Sequence, residues 1–141
     1  MKKVGSLASA LKKYSEMNAS VRVGVLESAT YPDGTPVAMV AFWNEYGTKT
    51  SPVRAFFRTT VSDQKKNWVL SVQNLMKMHD DPKKVMGLIG EHMRGQIVQS
   101  INTWTDPPNA PYTVRMKGFN APLRDTGQLM RSISFEVGEG E

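Results

Sequence analysis

The sequence predicts an α+β fold in which a small, mostly antiparallel sheet packs against a long antiparallel helical hairpin. Apolar residues recur at helical steps through two long segments, around residues 57–75 and 85–104, with His79-Asp80-Asp81-Pro82 between them. Apolar and polar residues alternate from Val21 to Val25 and again from Ile133 to Val137, the signature of half-buried strands. A length of 141 residues suits one domain, expected to span residues 1–141.

Val4, Leu7, Leu11 and Tyr14 share one face of a short helix expected within residues 1–19. After the first strand, Tyr31-Pro32-Asp33-Gly34 is a turn, because proline presets φ and glycine accepts positive φ. Thr35 and Pro36 read as N-cap and first residue of a compact helix ended by Gly47. A polar connection leads to a long helix marked by Phe57, Val61, Gln64, Trp68, Val72 and Leu75. Asp81-Pro82 caps the next helix, whose stripe runs through Val85, Leu88, Ile89, His92, Met93, Gln96, Ile97 and Ile101. Each helix of about 20 residues extends roughly 30 Å, and the short link makes them antiparallel.

Residues 103–125 hold four prolines and read as a long interaction loop. Part of it is expected to extend, since Tyr112, Val114 and Met116 alternate with Thr113, Arg115 and Lys117. Asp125-Thr126-Gly127-Gln128 resembles a cap, followed by one helical turn and the final strand; the tail from Gly138 is expected to fray. Two strands alone are marginal in water. Either the helices cover the sheet or a neighbouring subunit adds a strand, for which residues 105–124 are the candidate element.

Lys and Arg number 18 against 13 Asp and Glu, a net charge of +5, and the surplus falls within residues 1–71. A basic face attracts phosphates or an acidic partner, and it equally serves as a solvated surface. The chain has no cysteine, which excludes disulfides, a thiol nucleophile and cysteine-ligated zinc. No apolar run approaches the length of a membrane span, and the first residues make a poor secretory signal. Composition is compatible with a cytosolic location.

Chemistry-bearing patterns are sparse. His79 reads as a helix C-terminal cap and His92 as a packed histidine, with no second histidine at metal-ligand spacing. Asp80-Asp81 reads as capping, and Gly87 and Gly90 as a close helix approach. Trp43, Trp68 and Trp104 sit near apolar helical positions, which favours core packing over base stacking. The string from Tyr112 to Lys117 could touch nucleic acid or guard a strand edge with charge. Neither a catalytic constellation nor a cofactor site is expected.

Several strings are more specific. Val37-Ala38-Met39-Val40-Ala41-Phe42-Trp43-Asn44-Glu45-Tyr46-Gly47-Thr48 precedes Pro52-Val53-Arg54-Ala55-Phe56-Phe57-Arg58, and Pro122-Leu123-Arg124-Asp125-Thr126-Gly127-Gln128-Leu129 precedes Ser132-Ile133-Ser134. This ordered set, over about residues 20–137, resembles the tailed-phage virion morphogenesis proteins, the tail completion or neck proteins found in phages and prophages. The resemblance implies a tail-terminator or neck-like α+β subunit that assembles into a homo-oligomeric ring, expected to be sixfold. Its partners would be the portal or connector and the tail-tube proteins, its place the virion neck after assembly in the bacterial cytoplasm, and its channel a passage for DNA. No catalytic residue carries over. Lys49, Arg54, Arg58, Tyr112, Arg115, Lys117 and Arg124 are the candidate contacts to a neighbouring subunit or to DNA. The alternative reading is a basic nucleic-acid-binding module; an enzyme using His92 and Asp125 is the third class.

Overall fold

The computed structural model describes residues 18–25, 29–105, 107–117 and 127–140. The fold is mixed α+β. In chain order it comprises β1 (Ser20–Val25), α1 (Val37–Tyr46), α2 (Phe56–Met78), α3 (Pro82–Thr103), α4 (Pro111–Lys117), α5 (Gln128–Arg131) and β2 (Ile133–Gly138). The long helices α2 and α3 pack together as a hairpin, and β1 pairs antiparallel with β2 to form a two-stranded sheet. Its register sets Val21 opposite Val137, Val23 opposite Phe135 and Val25 opposite Ile133. Those alternating residues turn toward α3, while Arg22 and Glu136 form an ion pair on the solvent side.

α3 carries the core at both ends. Toward its C-terminus, Ile97 and Ile101 bury with Val37, Phe56, Leu129 and Ile133. Toward its N-terminus, Val85, Met86 and Ile89 bury with Met76 of α2. Each fully buried aliphatic or aromatic side chain contributes about 2 kcal/mol. The sheet approaches α3 closely at Gly90, where a β-carbon would stand 2.5 Å from Phe135 Cδ2 and 2.9 Å from Val21 Cγ2. The close approach expected at the α3 glycines is therefore made to the sheet, not to another helix.

Several local expectations are corrected. Pro36, not Thr35, is the N-cap of α1, because the Asp33 side chain accepts the Thr35 N–H at 2.9 Å and draws Thr35 into the preceding turn. That hydrogen bond holds the Asp33 carboxyl below its ordinary pKa. The buried face of α2 includes Phe56, Thr60 and Met76 beside Trp68, and Thr60 is accommodated because its hydroxyl donates to Phe56 O at 2.7 Å. His92 is exposed; with Leu88 it borders the groove between α2 and α3, because the sheet at Gly90 rotates the buried face of α3 away from it. Trp43 is also exposed, whereas Trp68 is buried and Trp104 half-buried. Residues 111–117 are helical, not extended, so the expected loop is broken by α4. The tail is engaged: Lys83 pairs with Glu139, and the Ser20 hydroxyl donates to Glu139 O at 3.0 Å. The helix expected within residues 1–19 and the Asp125-Thr126 cap lie outside the described residues.

Other expectations hold. Gly47 ends α1 at φ 76°, with its N–H on Trp43 O at 2.7 Å. Asp81 caps α3 through Lys83 N–H at 3.0 Å, with Pro82 first in the helix. His79 occupies the C-cap of α2.

Candidate assembly interface

The Glu45–Arg58 stretch builds a joint between α1 and α2. Gly47 lets the chain reverse, and a β-carbon there would meet Val53 Cγ2 at 3.0 Å. The Thr48 hydroxyl accepts the Thr50 and Ser51 N–H groups at 3.2 and 3.0 Å, which fixes the turn. Arg54 N–H then donates to Asn44 O at 2.6 Å. The N-cap residue of α2 is Ala55, which has no capping side chain.

Glu45 supplies the missing cap. Only 8% exposed, its carboxylate accepts the N–H groups of Phe57 and Arg58, two orphan donors in the first turn of α2. Arg58 Nε donates to the same carboxylate at 3.0 Å, and Arg58 Nη2 donates to Glu45 O. The Arg58 guanidinium lies over the Tyr46 ring, 4.5 Å from its centroid. This acid therefore neutralises a helix terminus and a cation in one place.

Arg54, expected at the surface, is buried. Its Nε and Nη2 donate to Pro107 O and Pro108 O, both at 2.9 Å, and so tie the chain beyond α3 to the α1–α2 joint. Desolvation in this site pushes the guanidinium below its ordinary pKa. Two adjacent proline-containing carbonyls match the planar fork of arginine, which a lysine ammonium could not reproduce.

The remaining candidates are separated from that joint. Lys49 is exposed in the bend after α1. Tyr112 and Arg115 are exposed on α4, and Lys117 ends that helix. Arg124 lies outside the described residues. The structure thus places both Arg54 and Arg58 in the α1–α2 joint, Arg58 on Glu45 and Arg54 on Pro107 and Pro108, and leaves the α4 residues as a distinct surface.

Sequence reasoning missed an exposed apolar surface on α1. Met39, Phe42, Trp43 and Tyr46 project from α1 at three- and four-residue steps, with Val53 exposed just beyond that helix. All exposed α1 residues are apolar or aromatic. The Phe42 and Tyr46 rings lie 4.7 Å apart and wall a groove of about 280 Å³ between α1 and β1, floored by Phe56, Phe57 and Ile133. Patches of this kind mark interaction sites. The signal was available: α1 has apolar residues all around its circumference, more than one buried face can use.

Among the described residues no three His, Asp or Glu side chains gather as a metal site requires, and no helix is long and apolar enough to cross a membrane. No family model, curated protein or solved structure matches the chain.

Proposed function

We propose that this chain is a structural subunit of phage morphogenesis, a tail completion or neck protein that forms a ring joining head to tail. The observation that carries the reading is the Ala-x-x-x-Glu-x-Gly-Thr … Pro-x-Arg-x-Phe-x-Arg set, whose charged members Glu45, Arg54 and Arg58 hold backbone groups in place. Residues used in this way are architectural. They support the aromatic face of α1 and the root of α4, both exposed, which suits a protein acting through fitted surfaces. Ring closure requires two unlike faces on each subunit, and these two elements are unlike.

Sedimentation velocity across a concentration series, alone and with portal and tail-tube proteins, tests the reading. A closed oligomer or a complex with either partner is the expected result. A strict monomer in every mixture overturns it.

A second reading, a basic nucleic-acid-binding module, is favoured by α2, where Lys65, Lys66 and Lys77 are exposed and Asp63 is the only acid. A dedicated binder would lose DNA affinity steeply as salt rises. Weak binding or none, at low and high salt alike, is the result expected of a neck subunit.

A further inference from the structure

We propose that α4 of one copy docks in the groove beside α1 of the next, with Tyr112 and Met116 as its apolar anchors; this rests on the reading of a self-assembling subunit. Among the described residues α4 contacts no other helix or strand of its own chain. Tyr112 and Met116, four residues apart and so on one helical face, are 65% and 70% exposed. The helix is nonetheless not loosely tethered, because the Arg54 guanidinium fixes Pro107 and Pro108 just before it. Among the described helices and strands it has no partner, and Tyr112 and Met116 are presented to solvent.

The groove has the complementary character. Gly24, Ala38 and Ala41 leave space between β1 and α1, and Phe42 and Phe57 supply apolar walls. Its one carboxylate, Glu45, is already held by Arg58 and the start of α2. Charge favours a head-to-tail arrangement. α4 carries Arg115 and Lys117 and no acid, so pairing α4 with α4 would set like charges together, whereas the exposed side chains of α1 are uncharged and the cation beside them, Arg58, is already paired with Glu45. Area agrees as well. The half-exposed aromatic and methionine side chains of the two surfaces offer on the order of 700 Å² of apolar area, a suitable core for a standard interface of roughly 1,600 Å² in total. A head-to-tail contact of this kind propagates from copy to copy and closes by rotation.

The absence of native cysteine makes a direct test possible. Ala38→Cys and Met116→Cys chains are oxidised separately and as a mixture, and the concentration dependence of assembly is compared between the wild type and Tyr112→Ser/Met116→Ser. The proposal expects a disulfide-linked dimer in the mixture alone, and at least tenfold weaker association for the serine variant, with its melting temperature unchanged because both side chains are largely exposed. A cross-link in the Ala38→Cys sample alone would show a symmetric α1 contact and overturn the docking. Undiminished assembly of the serine variant would overturn the docking while leaving self-assembly intact. A wild type that stays monomeric with and without portal and tube proteins would overturn both.

Discussion

Phe135 of β2 lies over Gly90 of α3 so closely that the ring base occupies the place of a β-carbon. The nearest atoms are Cγ and Cδ2 of Phe135 and Cγ2 of Val21, all close to their own backbones, so they cannot withdraw as the tip of a long side chain would. Gly90→Ala gains about 1 kcal/mol of helix propensity but forces sheet and helix apart at about 1–3 kcal/mol. We expect a net loss near 1 kcal/mol in urea unfolding, whereas Gly95→Ala, with open space around it, should stabilise.

Glu45→Ala removes two helix-capping acceptors and the partner of Arg58. A loss of about 2 kcal/mol is expected, within the range for N-caps and charge-assisted hydrogen bonds. Arg58→Ala should cost less, near 1 kcal/mol, because that side chain is half exposed and screened. A double-mutant cycle should report coupling between the two, and additivity would show that the pair acts only through the backbone.

Arg54→Lys keeps the charge but loses the double contact to Pro107 and Pro108. The expected outcome is a stability loss of about 1–2 kcal/mol and faster tryptic cleavage at Arg115. Unchanged cleavage would mean that the segment before α4 is held by something else.

The Lys83–Glu139 pair has a definite pH signature. Its hydrogen bond and Coulombic attraction to Glu139 raise the Lys83 pKa above its ordinary value. The contribution is complete below the unfolded pKa, near 10.5, and is lost as pH rises through the higher folded value. Comparing wild type with Glu139→Gln in denaturant should show a margin at pH 8 that vanishes above the raised pKa. A margin that persists there would assign it to the hydrogen bond that Asn18 Nδ2 donates to the Glu139 carboxylate at 3.3 Å.

Local patterns were legible wherever the determinant was local. Alternation at Val21–Val25 and Ile133–Val137 marks both strands, Asp81-Pro82 marks the start of α3, and Gly47 marks the end of α1. The candidate site was less legible because its determinants are distant. The acceptors of Arg54 lie 53 and 54 residues away, and the cap of α2 comes from Glu45, on another helix. In α4, alternation of Tyr112, Val114 and Met116 suggested a strand, but over so few residues the pairing of Tyr112 with Met116 fits a helix equally well. His92 was misplaced because the buried face of α3 is set by where the sheet lies.

The pairing of β1 with β2 also imposes an order on folding. Ser20 and Glu139 are 119 residues apart, while α2 and α3 are joined by a three-residue link. During synthesis the hairpin can therefore collapse early, but β1 must wait for β2 to emerge from the ribosome. Chains cut short before β2 would lack the strand that walls one end of the core. Such fragments would keep β1 unpaired and the core open beside Ile133, so the fold is completed only when the last residues of the polypeptide are made.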